Sequence, residues 1–246
     1  MAEALTKDEI AGRLTTAYPD DVAGVEGNEV IFKDGGRLPF DDGKGEKSFE
    51  LWLTDPDIED MFRFAYPAAA ATAAPVTDPG RARNSLFFRK IYGDCHKGGV
   101  AKNLTAIGWL PGLSRQTIKV TTRNGVAGRF RDLTNELANL PKRFQTVLMP
   151  SAGGYVCRDI AGTRMPSAHG YGIAVDIALK RSHYWRWGRR DDRTAPVYRN
   201  AIPMEIVAIF ERHGFIWGGR WKHYDTMHFE YRPELFSPPS GPSSGR

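Results

Sequence analysis

Residues 203–231 read PMEIVAIFERHGFIWGGRWKHYDTMHFEY. Pro203 carries the fixed φ that suits a first helical turn, Ile206, Ile209 and Phe210 recur at helical spacing, and Gly214 supplies a stop. Two short β segments follow, Phe215 to Trp217 and Met227 to Tyr231. Upstream, Asn84 to Tyr92 reads as a helix and Thr117 to Thr122 as a strand. The 4-3-4-3 spacing of Val126, Phe130, Leu133, Leu137 and Leu140 marks a strong amphipathic helix that Pro141 stops. Gly154 to Ala178 is strand and loop. Helices come first, then strands with one further helix between them, an order that predicts an α+β fold with an antiparallel sheet instead of repeated βαβ units.

The N-terminal third reads differently. Thr6-Lys7-Asp8-Glu9 is a capping box opening a helix to about Tyr18. Turn signals at Gly27-Asn28 and Asp34-Gly35-Gly36 bracket the alternating Glu29 to Lys33, a small hairpin or meander. Asp55 to Tyr66 looks helical. The segment PAAAATAAPVTDP (67–79) is small, Pro-bounded and without amphipathic pattern, which predicts a linker or loose surface crossing. The expected organisation is an acidic α/β extension over 1–66, a linker over 67–83, a folded domain over 84–236 and a disordered tail over 237–246, SPPSGPSSGR.

Of the 246 residues, 41% are hydrophobic and 26% charged, ordinary for a chain that buries a core, so wholesale disorder is excluded. No stretch approaches the ~18 uninterrupted apolar residues of a membrane span, and MAEALTKDEIAGRL lacks the apolar centre of a secretory signal. The net charge of +5 hides an asymmetry: residues 1–60 hold 6 Lys and Arg against 16 Asp and Glu, and the remainder 28 against 13. That basic remainder favours a polyanionic partner, whether nucleic acid, an anionic wall polymer or a carboxylate-rich peptide. Against nucleic acid, no helix-turn-helix, zinc-finger or ribonucleoprotein signature is present. Cys95 and Cys157, 62 positions apart with no C-x-x-C pair, exclude a cysteine-only zinc site and leave either one disulfide or two buried thiols.

Of six histidines, His96 alone precedes residue 169, so imidazole chemistry belongs to the last third. SAHGYGIAVD (167–176) sets His169 seven residues before Asp176, a loop running into a strand. Gly172, Ala174 and Asp176 would share one strand face, the small side chains leaving room beside the carboxylate. WKHYDTMHFEY (221–231) adds His228, with Asp225 three residues ahead and aromatic flanks. His169, Asp176 and His228 are N and O ligands that Zn²⁺ accepts, leaving a fourth position for water, as in catalytic zinc sites. Asp225 would then act as acid/base toward water attacking a carbonyl, and amide hydrolysis results. A serine nucleophile lacks its G-x-S-x-G elbow, and the zincin motif H-E-x-x-H is missing.

These two stretches, SAHGYGIAVDI and DTMHFE, resemble the signatures S-x-H-x-x-G-x-A-x-D and D/E-x-x-H of the zinc D-Ala-D-Ala carboxypeptidase and L-Ala-D-Glu endopeptidase family, over about residues 150–235. The resemblance implies a hedgehog/D,D-peptidase-like antiparallel sheet with helices. It also implies that His169, Asp176 and His228 bind one catalytic zinc and that Asp225 is the catalytic acid/base. Arg158, upstream of the first His, occupies the position of the family's substrate-carbonyl arginine, and its planar fork suits an oxyanion or a carboxylate. Asp at position 225 looks more like the L-Ala-D-Glu endopeptidase branch than the vancomycin-resistance D,D-dipeptidases. The implied substrate is the peptidoglycan stem peptide, the implied location periplasmic or extracellular, and a monomer is expected. A D-Ala-D-Ala carboxypeptidase and a non-catalytic zinc-containing wall-binding module are the alternatives, the second because hedgehog domains use a similar site for partner binding.

Other residues carry plainer options. Ser167 is a substrate contact or a turn residue steadying the His169 loop. His223 is a donor to the tetrahedral intermediate or packs on Trp221. Glu230 reads as a partner of the metal ligands or a salt bridge, and His96, His183 and His213 as ordinary surface or core residues. Tyr184, Trp185 and Trp187 make a substrate lip if exposed. Residues 1–83 match no known pattern, and RSHYWRWGRRDDRTAPVYRN (181–200) lengthens the link between the two motifs.

Overall fold

A computed structural model describes residues 5–67, 73–160, 162–187 and 197–237. The first helix, α1 (Lys7–Ala17), begins where the capping box places it: the Thr6 hydroxyl accepts from the Glu9 amide at 3.3 Å, and the Glu9 carboxylate accepts from the Thr6 amide at 2.8 Å. An antiparallel meander follows, β1 (Val22–Glu26), β2 (Glu29–Phe32) and β3 (Arg37–Pro39), paired in that order.

The helix expected over 55–66 forms earlier and shorter. The Ser48 side chain caps α2 (Phe49–Thr54), and Pro56 drives Asp55 out of the helical region to φ −143° and ψ 54°. Only a 3₁₀ turn at Glu59–Phe62 remains of the expected element.

Downstream, Asn84 caps α3 (Ser85–Tyr92) by accepting from the Phe87 amide at 2.8 Å. β4 (Leu104–Gly108) and β5 (Thr117–Thr121) form an antiparallel pair. The long amphipathic helix is α4 (Val126–Ala138), with Val126, Phe130, Leu133 and Leu137 buried as their spacing predicts, and Leu140 packing from beyond its end. After the short α5 (Gln145–Leu148) comes β6 (Ala174–Asp176), then α6 (Met204–Arg212), β7 (Phe215–Trp217) and β8 (His228–Tyr231). These last strands make an antiparallel sheet in the order β6-β8-β7, so the fold is α+β with small antiparallel sheets.

One buried cluster joins both ends of the chain. Ile10, Leu14 and Tyr18 of the N-terminal part lie in it, Tyr18 meeting Phe87 edge to face at 5.1 Å. Tyr18 also donates to Glu234 at 2.8 Å, and Arg13 donates to the Leu235 carbonyl at 3.1 Å. The stretch whose composition suggests a surface crossing ends buried: Asp78, Pro79, Gly80, Ala82 and Arg83 are all covered, while residues 68–72 of the expected linker lie outside the described residues. The tail from 238 onward lies outside them too. Cys95 and Cys157 form a disulfide, which resolves the choice the sequence left open. No helix among the described residues is long and apolar enough to cross a membrane.

Candidate metal centre

The register of the last sheet builds the centre. β6 and β8 pair Ala174 with Glu230, Val175 with Phe229 and Asp176 with His228. Alternation therefore sends Val175 and Phe229 to one face and Asp176, His228 and Glu230 to the other. The first face is core: Phe210 of α6 stacks on Phe229 at 3.8 Å. On the second face, directly opposed side chains reach each other, and Asp176 Oδ1 lies 3.1 Å from His228 Nδ1.

His169 arrives from outside the sheet, on a 3₁₀ turn at Ala168–Tyr171 that ends at Gly172. Gly172 is not a strand residue. Its φ is +72°, and a Cβ there would sit 2.9 Å from the Thr121 amide, so it is small to close the turn and admit β5, not to clear a strand face. Ala174 is a strand residue, opposite Glu230, and its small side chain leaves room on the face where Asp176 points.

His169 Nδ1 lies 2.7 Å from the Gly154 carbonyl and donates to it, which fixes the tautomer and leaves a lone pair on Nε2. Nε2 is buried without a hydrogen-bond partner, although Asp176 Oδ1 stands 3.2 Å away in an off-axis direction. His228 is held the same way from the opposite side, its Nε2 donating to Glu230 at 2.9 Å and its Nδ1 facing the centre. One ligand atom from each of His169, Asp176 and His228 lies within 4.8 Å of the other two. Two inward-facing imidazole nitrogens and a carboxylate oxygen, with backbone or carboxylate partners behind the imidazoles, fit a zinc ion, which would take the place of the proton on His228 Nδ1.

The electrostatics favour a cation there. Burial works against ionising Asp176, yet the imidazoles of His169 and His228 beside it hold its carboxyl well below the usual range. Burial works against charging His228 as well, and Asp176 and Glu230 overcome it, pushing its pKa up to about 10. Two further groups have spacing compatible with a metal. In one the sulfurs of Cys95 and Cys157 are spent on the disulfide beside His96; in the other, Lys47 Nζ lies 2.9 Å from Asp42 and 3.0 Å from Asp57 beside Asp41.

A cavity of about 340 Å³ opens over the trio. Asp225 lines it. Its Oδ1 is buried with no partner, and burial, helped by the charge of Asp176, raises its pKa. The turn carrying it crosses tightly over Gly218, where a Cβ would lie 2.5 Å from the Asp225 carbonyl. Ser167 lines the cavity from a buried position and donates its amide to the Arg158 carbonyl at 3.0 Å. Arg158 also lines it, with an exposed side chain that engages no described residue; its neighbour Asp159 is taken by His96 at 2.9 Å.

His223 is placed differently. Asp78 accepts from both its amide and its Nδ1, at 3.0 and 2.9 Å, and the ring stacks on Phe49 at 4.3 Å and meets Trp185 edge-on at 4.6 Å, outside the cavity lining. Tyr184 and Trp187 line the cavity, while Trp185 is buried behind it. Residues 188–196 of the long connection lie outside the described residues.

Sequence reasoning missed two cavity arginines, Arg81 and Arg83. Arg83 Nη1 donates to both Glu230 oxygens, at 3.0 and 2.8 Å. Arg232 donates to Glu230 at 3.1 Å and also to Glu234, which accepts from Tyr18. A buried string of charge thus runs from α1 to His228. Glu230 is fully buried, and burial alone would raise its pKa, but Arg83 and His228 hold it well below the usual range. The Arg83–Glu230 contact spans 147 residues and leaves no local signature in the chain.

Residues 161–231 match the family model described as D-alanyl-D-alanine carboxypeptidase. The matched stretch contains His169, Asp176, Asp225 and His228. No curated protein matches the chain.

Proposed function

We propose that this chain, a metallopeptidase by the family to which residues 161–231 belong, hydrolyses amide bonds beside D-amino acids in peptidoglycan stem peptides. The observation that carries this reading is the convergence of the His169, Asp176 and His228 ligand atoms beneath a cavity that also receives the partnerless Asp225 carboxylate. Zinc held by those three side chains would polarise the scissile carbonyl and bring the pKa of a bound water toward ~7. Asp225 accepts the proton of the attacking water and returns it to the leaving amine, a task suited to a carboxyl whose pKa burial has raised. Arg158 steadies the developing oxyanion from the outer wall, and Ser167 ties the Arg158 backbone to the turn that carries His169, its amide donating to Arg158 and its carbonyl accepting from Gly170. His223 contributes by fixing the wall behind the substrate.

The favoured bond is L-Ala-D-Glu, from Asp at position 225. Carboxypeptidase cleavage of D-Ala-D-Ala is the second reading, favoured by the description of the family model that residues 161–231 match. A purely binding role leaves a buried, partnerless Asp225 oxygen without use. Residues 84–236 are read as the catalytic domain, arranged as in hedgehog/D,D-peptidase proteins, with Arg81 and Arg83 of the preceding stretch completing its site. The basic surface beyond residue 60 concentrates carboxylate-rich substrate. The disulfide suits action in the periplasm or outside the cell, where the chain is read as a monomer.

The test is digestion of purified wall fragments by the zinc-loaded protein, read by mass. Products cut between L-Ala and D-Glu support the favoured bond, release of free D-Ala alone replaces it with the second reading, and no cleavage at all defeats the peptidase assignment.

A further inference from the structure

Among the described residues three guanidinium groups line the cavity, from Arg81, Arg83 and Arg158, and they are not equivalent. Arg83 is neutralised by its paired bonds to Glu230. Arg158 sits on the exposed rim. Arg81 is mostly buried, with its guanidinium 4.9 Å over the Trp221 ring. Its Nη1 donates to the His223 carbonyl, and the nearest acid, Asp78, stands 3.8 Å away with both oxygens already spent on His223. Nε and Nη2 of Arg81 donate to no described residue. The guanidinium is therefore fixed in place by Trp221 and His223, yet retains the two-donor edge that recognises a planar anion. Burial lowers its pKa, so an anionic partner relieves a cost that the folded chain already bears.

We propose that Arg81 anchors an ionised α-carboxylate on the residue that leaves, and so selects D-amino acids whose α-carboxyl is free. A C-terminal D-alanine and a D-glutamate linked onward through its γ-carboxyl share that feature: each carries a carboxylate one carbon from the amide nitrogen that departs. A single subsite thus serves both bonds considered above, and it distinguishes them from an ordinary peptide bond, where that carboxyl is an amide. Asp78 and His223 are positioning residues for Arg81, and the stretch 78–83 is part of the substrate site instead of a spacer. This inference rests on the peptidase reading for its substrates.

The test compares two matched synthetic peptides, L-Ala-γ-D-Glu-L-Lys and the same peptide with the D-Glu α-carboxyl as primary amide, on the zinc-loaded full chain. The intact protein should prefer the acid in kcat/KM by roughly 10- to 100-fold, the range expected of a charge-assisted hydrogen-bonded pair. Arg81→Gln should erase that preference by slowing the acid peptide alone, whereas Arg158→Gln should slow both peptides and preserve the ratio. Equal losses on both peptides in Arg81→Gln, or a preference erased by Arg158→Gln instead, overturns the assignment. Should Arg81→Gln fail to fold, the wild-type protein still reports: calorimetric binding of D-alanine must exceed that of D-alaninamide, and equal binding overturns the proposal. Absence of hydrolysis with retained discrimination in binding would sink the peptidase reading and leave the carboxylate subsite standing.

Discussion

Replacing Glu230 with Gln keeps the side-chain shape and deletes one buried negative charge. Glu230 accepts from Arg83, from Arg232 at 3.1 Å and from His228 Nε2 at 2.9 Å, with no exposure to water. Arg232 retains Glu234, but Arg83 has no other ion-pair partner among the described residues. An uncompensated buried guanidinium costs ~3–5 kcal/mol. At roughly 2–4 °C per kcal/mol for a chain of this size, the metal-free Tm should fall by about 10 °C. The same change weakens the bond that orients His228, so zinc affinity should drop ~10–100-fold. Thermal unfolding of the metal-free protein and a competition titration with a zinc chelator measure the two effects separately. Glu230→Gln combined with Arg83→Met should recover much of the lost Tm, because the stranded charge goes too, without restoring zinc affinity. A single variant with unchanged Tm and unchanged zinc affinity would refute the buried charge string as a support of the site.

Further consequences follow from other residues. Asp225→Asn should keep zinc and fold while hydrolysis falls by ~10²–10⁴, measured as kcat/KM on a wall peptide; undiminished cleavage would remove the acid/base role. Reducing the Cys95–Cys157 bond, which closes 62 residues, should lower stability by about 4 kcal/mol in the chain-entropy description, seen as a smaller urea midpoint in dithiothreitol that Cys95→Ser with Cys157→Ser reproduces. Glu136 is held below its ordinary pKa by the His213 hydrogen bond at 2.7 Å and by Arg212. A depressed carboxyl stabilises the fold above its ordinary value and loses that contribution as pH falls through its folded value. Unfolding titrations of Glu136→Gln against wild type should accordingly diverge at neutral pH and converge in acid.

The parts of the molecule legible in its sequence are those set by local physics. The capping box at Thr6 and Glu9, the stripe of α4 and the Pro203 to Gly214 helix each need only neighbouring residues to declare themselves. The motif spacing of His169, Asp176 and His228 was equally visible, since alternation in β6 and β8 puts Asp176 and His228 on one face once the strands pair. What escaped depends on distant partners. Nothing near Arg81 or Arg83 announces that they reach a cavity whose other walls include residues as distant as Asp225 and His228, and the small Pro-rich composition before them points toward solvent. Gly172 alternates with Ala174 as a strand residue would, but a left-handed turn sets its identity. His223 offered an imidazole beside the motif, but Asp78, 145 residues earlier, claims its Nδ1.

Metal content after mild purification, by mass spectrometry of the native chain, tests the whole site most directly. The convergence of two imidazoles and Asp176 predicts one zinc per chain in the wild-type protein and none in His169→Ala, with the variant still folded by circular dichroism. Zinc bound equally by both proteins, or by neither after dialysis against the free ion, would contradict it.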